Sequence, residues 1–431
     1  MRYFLTAVMF LSLAGCVFSP EGEDDERKRA RDAWPGESPA ALAPEASLEE
    51  ILKHAYLSNA GLEERWWAWQ AALEQIPQDA SQPTTLSLTY AQMFEKGETS
   101  WAQATFGVAN DPMANLVWPG KLETAGRRAL ENARAAGHRF EAARLDLRAK
   151  VVIAWFEYAF LAESIRLRGE DLSLLESIVD ATEVRVRAGS APQQDLLEAR
   201  TQRDLAGNRL ETLRSKVPGR RAGLNALLNR ESLADLDLPR ELPPPRAFGE
   251  LDEEVLARLA ARNPELEALA REVRGRKEAV ALKRQQYIPD LGLGGSGDAG
   301  GIVRSIMGML TAPVLRYPAI EASIAQAKAE LEMTRALRRQ AGHDLGARAV
   351  LLLHDLRSAD RQATLYETAL LPQADLVVEA ALAAYAAGRA PSIDLLDSRR
   401  MRLEARLMLA EIRTEREKLL AELEALAPGA P

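Results

Sequence analysis

The segment AGSAPQQDLLEAR at residues 188–200 returns as AGRAPSIDLLDSR at residues 387–399. Aligning Gly189 on Gly388 brings together Ala191 and Ala390, Pro192 and Pro391, Asp195 and Asp394, Leu196 and Leu395, Leu197 and Leu396, and Arg200 and Arg399. Glu198 and Asp397 share a charge. Self-similarity at one fixed spacing makes the chain a tandem repeat, which constrains the fold more than any single motif does. The order of parts also repeats upstream, where Asn59 and Leu62 answer Asn263 and Leu266, and Pro119 answers Pro313. The two repeats span 48–231 and 251–427, joined by a Pro-rich linker at 232–250 that contains LPRELPPPRAF.

Each repeat opens on a helix, Leu48 to Gln75 and Asp252 to Gln286. A strand pair follows, at 84–110 and at 287–313. Leu86 to Gln92 and Ala102 to Asn110 alternate apolar and polar residues, the signature of a strand with two unlike faces. The second pair, IPDLGLG and IVRSIMGML, is shorter and flanks GGSGDAGG, in which Gly294 and Gly295 read as turn. Next come helical stretches from Leu122 to Arg187 and from Ala319 to Ala387. At about 1.5 Å per residue such helices reach on the order of 100 Å, so they need partners along their whole length.

The repeated segment supplies those partners by reversing the chain. Gly189 and Gly388 suit the left-handed residue that ends a helix, and Pro192 and Pro391 suit the first position of the next. The tips therefore fall at 188–195 and 387–394, with returning helices to Asn229 and Ala427 and a tail at 428–431. Ala199, Ala206 and Leu213, and Ile412, Leu419 and Leu426, recur every seven residues, as in a coiled-coil seam. Pro218 and Pro372 mark kinks or breaks.

The amino terminus has one Arg, an apolar run too short to span a bilayer, and the ending L-A-G-C. Residues 1–15 thus read as a signal peptide, and Cys16 as either an acylated lipoprotein cysteine or an incidental one after an ordinary signal. Cys16 is the chain's only cysteine, so no disulfide framework and no cysteine metal site can form. Residues 16–47, with the charge run EGEDDERKR, read as a solvated tether. A net charge of -8 without a basic block disfavours nucleic acid as a partner. The four histidines are scattered, and neither a metal site, a cofactor site nor a nucleophile motif is present, so an enzyme is not expected. Trp66, Trp67 and Trp69 suit either an interfacial belt or helix packing, and their place on the first helix favours packing.

With its duplicated halves, the N-P-E-L start at Asn263, the L-N-A-L-L segment at Leu224 and two G-x-x-x-x-x-D-L-L turns, the chain resembles the outer membrane factor family, the TolC and CusC type of exit duct. VWPGK at 117–121 is similar to its heavy-metal branch. The resemblance implies a mainly α protein with a small β part: a homotrimer whose four strands per chain share a twelve-stranded transmembrane barrel, continued by an α-barrel of helical hairpins. It implies a lipid-anchored outer-membrane location, a periplasmic adaptor, and an inner-membrane transporter such as an RND pump. The cargo would be heavy-metal cations or drugs, or a polypeptide if the duct serves type I secretion. The alternative from another class is a lipid-anchored periplasmic coiled-coil scaffold without a pore, for which the alternating strands would have no use.

By the same resemblance the pore narrows at the tips. Asp394 and Asp397 would then form rings of negative charge that select cations, beside a gate tyrosine at Tyr385. These carboxylates also suit a helix's positive end whatever else they do. Gly189, Pro192, Asp195, Gly388 and Pro391 would form the adaptor-facing tips. Some family members lock the tyrosine with an arginine at the position of Ala390, which leaves the restraint on a closed state unassigned here.

Overall fold

A computed structural model describes residues 18–34, 36, 41–82, 86–95, 98–108, 115–298, 304–311 and 316–429. Cys16, Asn110 and Pro313 lie outside the described residues, as do residues 1–15. The chain is predominantly helical. Its helices are α1 (Glu23–Ala33), α2 (Leu48–Ser58), α3 (Ala60–Ala80), α4 (Pro119–Arg187), α5 (Gln193–Arg214), α6 (Val217–Leu227), α7 (Asp252–Arg262), α8 (Pro264–Arg284), α9 (Tyr317–Leu365), α10 (Leu371–Ala386) and α11 (Ser392–Leu426). The strands are β1 (Leu86–Glu95), β2 (Glu98–Val108), β3 (Asn115–Leu116), β4 (Asp290–Asp298) and β5 (Arg304–Thr311).

Two compact units form, and neither is one of the sequence repeats. The first takes residues 1–35, 64–140 and 264–342, and the second takes 36–63, 141–263 and 343–431. Each therefore draws on both repeats.

In the first unit all five strands join one antiparallel sheet. β1 pairs with β2, β4 pairs with β5, and the opposite edge of β4 takes both β2 and β3. Among the described residues β1 and β5 are each paired on one edge only. Gly294 and Gly295, expected in a turn, instead lie within β4, opposite Gly107 and Phe106 of β2 and Met307 and Ile306 of β5. Ladder bonds on both edges decide this, since pairing outweighs the weak strand preference of glycine. Where the ladder ends, the Gln82 side chain continues it, donating to the Val117 carbonyl at 2.7 Å and accepting from the Val117 N–H at 3.0 Å.

Residues 23–33 are a helix and not the expected solvated tether. Glu26 and Ala30 are buried, the Trp66 indole N–H donates to the Ala30 carbonyl at 2.8 Å, and Arg27 reaches Glu74 at 2.6 Å. The local charge run looks solvated, but its partners stand some forty residues away on α3. Trp69 is fully buried against Phe140, whereas Trp67 stays 57% exposed. The Phe18 N–H donates to the Ala80 carbonyl, tying the start of the described chain to the end of α3.

In the second unit a single pattern closes both repeats. The expected first helices are each two helices, broken at Asn59 and Asn263, whose backbones turn extended. The Asn59 amide donates to the Leu227 carbonyl at 2.9 Å, at the end of α6. Likewise the Asn263 amide donates to the Leu426 carbonyl at 2.9 Å, at the end of α11. The Asn59 side chain also accepts from the Leu62 N–H, capping α3 while it reaches across. α2 starts on a reciprocal Ser47 and Glu50 capping box.

The proline sites behave differently from one another. Pro218 opens α6 just after α5 ends. Before Pro372 the helix continues through a π turn, Tyr366–Leu370, which absorbs the missing donor without a break. The continuous helix Tyr317–Ala386 includes one stretch long and apolar enough to cross a bilayer, yet only 17% of that stretch is buried.

Candidate functional site at the helix-reversing tips

Both tips are built alike. Gly189 and Gly388 have φ of 71° and 68°, the left-handed region that favours glycine. The Gly189 N–H donates to the Val186 carbonyl and the Ser190 N–H to Arg185, while Gly388 donates to Tyr385 and Arg389 to Ala384. These paired bonds form a Schellman ending in each case and satisfy carbonyls that a helix end otherwise leaves open. Pro192 and Pro391 sit one residue outside the next helix, with extended ψ of 151° and 161°. They are thus caps and not first helical residues.

What surrounds the tips is not alike. Arg200 bonds Glu183 at 3.1 Å near the surface, while its counterpart Arg399 forms an ion pair with Asp171 in which both side chains are under 10% exposed. Burial pushes the Asp171 carboxyl above its usual range, against the pull of Arg399, Arg168 and Arg402. Glu183 is held low instead, first by its hydrogen bond from Arg200 and then by the charge of Arg187.

Asp394 and Asp397, the acids expected at the narrows, are exposed, one turn apart on α11, whereas their counterparts Asp195 and Glu198 are half-buried on α5. Tyr385 does not share that exposed face. It is 4% exposed, in a cluster with Leu175, Ile178, Val179, Leu196 and Leu395. Its hydroxyl lies 2.6 Å from the Thr182 hydroxyl. Thr182 spends its one proton on the Ile178 carbonyl at 2.7 Å, so the tyrosine is the donor.

Sequence reasoning missed Arg185. Its guanidinium stacks 4.4 Å from the centre of the Tyr385 ring and donates to the Tyr385 carbonyl at 2.9 Å. It also reaches the Ser190 carbonyl at 3.4 Å, so one side chain ties both tips. The available signal was a mismatch between repeats, since Arg185 aligns with Ala384 and Tyr385 with Val186. Beside this pair α4 and α10 frame an apolar cleft of about 500 Å³, with Val184 and Leu382 at its rim 65% and 47% exposed.

No group of His, Cys, Asp and Glu that could hold a metal occurs among the described residues. Outside the tips, His138 is pushed down to about 4 by burial and by Arg29 and Arg271, and so stays neutral at ordinary pH.

The family model for outer membrane efflux proteins matches residues 53–230 and 255–429. The chain belongs to the outer membrane efflux protein family. Its fold is similar to a membrane protein from Pseudomonas aeruginosa, at 20% identity and a TM-score of 0.76, over 91% of this chain and 98% of that one. It is similar also to CusC, at 16% identity and 0.76, over 92% and 98%. A third likeness is to the open state of the Neisseria gonorrhoeae MtrE outer membrane channel, at 17% identity and 0.73, over 91% and 96%. No curated protein matches the chain in sequence. The family is that of outer membrane efflux proteins, which suggests an outer-membrane location, and the fold is shared with the CusC and MtrE channels.

Proposed function

We propose that this efflux family member is a trimeric exit duct, anchored through acylated Cys16, that passes substrate from an inner-membrane transporter through a periplasmic adaptor. The observation that carries this reading is a sheet in which, among the described residues, β1 and β5 are each paired on one edge only, in the same chain as a helix of 69 residues. Open strand edges in lipid leave backbone groups unpaired, and closing a barrel takes about eight strands or more, so several chains would share one barrel. The poorly buried apolar stretch of the helix Tyr317–Ala386 supports the same assembly, because Leu376, Val377 and Leu382 are exposed in one chain and would be covered by a second.

In this trimer Asp394 and Asp397 would ring the narrowest part, favouring cationic cargo, and the two tips would meet the adaptor. Purified protein in planar bilayers tests the reading. Stable ionic conductance from a trimer is expected, with Cys16 recovered as an acylated peptide by mass spectrometry. A soluble, non-conducting oligomer would mean a periplasmic scaffold instead.

A further inference from the structure

We propose that the foot of the second strand pair binds the headgroup of an anionic glycerophospholipid, held by Arg284 and Arg316 with Tyr287 and Tyr317 beside them. The inference rests on the duct reading, which puts the strands in the bilayer and the helices in the periplasm.

A contrast between the repeats carries it. α3 and α8 are helices of 21 residues that each lead to a strand pair, and the register set by Asn59 and Asn263 lays Asp79 and Ala80 on Lys283 and Arg284. The charge at the foot is therefore reversed. The first foot is filled by the chain itself: Asp79 pairs with Arg128 at 2.7 Å, the Ala80 carbonyl accepts from Phe18, and Phe18 and Pro20 lie against Gly126. At the second foot Arg284 and Arg316 are exposed, and neither has an ion-pair partner among the described residues.

The second foot is nonetheless firmly built. Lys121 reaches the Ile288 carbonyl at 2.8 Å and Asp290 at 2.7 Å, the Gln285 amide donates to the Thr124 hydroxyl at 2.9 Å, and the Ser323 hydroxyl donates to Gln286. These bonds fix the short turn Gln285–Tyr287 between α8 and β4. They leave Tyr287 and Tyr317 at the surface, 38% and 43% exposed, with ring centres 5.6 Å apart. Arg316 adjoins Tyr317, and Arg284 stands one turn before Tyr287, so the four residues form one patch.

The chemistry of the patch names its occupant. Guanidinium groups match a phosphate in geometry and charge, while a tyrosine has an apolar body and a polar tip suited to the border of lipid and water. With Lys283 the patch carries three cations, against the exposed Glu321 one turn into α9. A phosphodiester supplies the missing negative charge. The ligand is a membrane lipid and not a soluble anion because β4 begins three residues after Tyr287, at the level where the duct reading has the chain enter the bilayer.

Native mass spectrometry of the full-length trimer in neutral detergent tests the site, with phosphatidylglycerol and phosphatidylcholine of the same acyl chains as probes. The wild type is expected to hold phosphatidylglycerol in preference, one per chain. Arg284→Gln with Arg316→Gln should weaken that binding by about thirtyfold, roughly fivefold for each arginine. Arg338→Gln with Arg339→Gln removes two exposed arginines further along α9 and should change nothing. Equal binding of the two lipids, undiminished binding by the Arg284 and Arg316 variant, or displacement by inorganic phosphate at similar concentration would overturn the site. So would failure of that variant to form a trimer, since the foot would then be a contact between copies. Conductance of the same wild-type trimer reports on the duct reading separately. A trimer that conducts without preferring phosphatidylglycerol sinks the lipid site alone, and one that does not conduct sinks the duct reading and the lipid site with it.

Discussion

The two tips share one turn and differ in how that turn is held. Around Gly189 the neighbouring ion pair is exposed and involves Glu183, Arg187 and Arg200. Around Gly388 the corresponding arginine is buried on Asp171, and the last helical turn is gripped by Arg185 and Thr182. The lesson is that duplication copied the reversal, which backbone sterics dictate, while the fastenings diverged. The tip bearing the exposed aspartates is the one fixed more firmly.

The largest expected difference is between the two arginines. Arg399→Ala leaves Asp171 charged and buried, which costs about 3–5 kcal/mol, while Arg200→Ala should cost about 1 kcal/mol or less. Urea unfolding midpoints compare them, and equal losses would erase the contrast. Replacing Asp171 and Arg399 together by Leu and Met should recover most of the loss, because neither charge is then stranded.

The glycines should behave as twins. Gly189→Ala and Gly388→Ala each force a methyl-bearing residue into the left-handed region, at about 1–2 kcal/mol. Space does not separate them, since an added Cβ meets nothing at Gly189 and only the Arg185 guanidinium, at an ordinary 3.8 Å, at Gly388. Unequal costs in the same unfolding series would show that the fastenings reach into the turn itself.

The smallest effect is also the most discriminating, because the two carboxylates respond to pH with opposite signs. Glu183 is held low in the fold, so its contribution is present above its unfolded value of 4.5 and is lost as pH falls through the folded one. Asp171 is held high, so its contribution is complete below 3.8 and is lost as pH rises through the folded value. Carboxyl titration followed by infrared difference spectroscopy, with Glu183→Gln and Asp171→Asn as assignments, should find shifts in these two directions. A third group gives a separate window away from the tips. His138 favours its neutral form in the fold, so stability should fall as pH drops from 6.5 to about 4, and His138→Gln should remove that dependence.

How much of this could be read from sequence follows from where the determining contacts lie. The reversal at Gly189 and Gly388 was legible because a left-handed backbone at a helix end is a local demand that glycine answers. The Arg185 and Tyr385 pair was not, because its partners lie two hundred residues apart on helices whose own periodicity is unaffected by it. The run Glu23 to Arg31 misled for the same reason, since Arg27 reaches Glu74 and Leu73 and the Ala30 carbonyl accepts from Trp66, all outside the window. Gly294 and Gly295 misled because strand identity is decided across the ladder and not along the chain.

The breaks at Asn59 and Asn263 reach beyond architecture to assembly. Each asparagine buckles the opening helices of its own half to the closing helix of that same half. No covalent continuity between the halves is needed to make either buckle. Two polypeptides severed within the linker at 232–250 should therefore reassemble, which co-purification of the two halves would check.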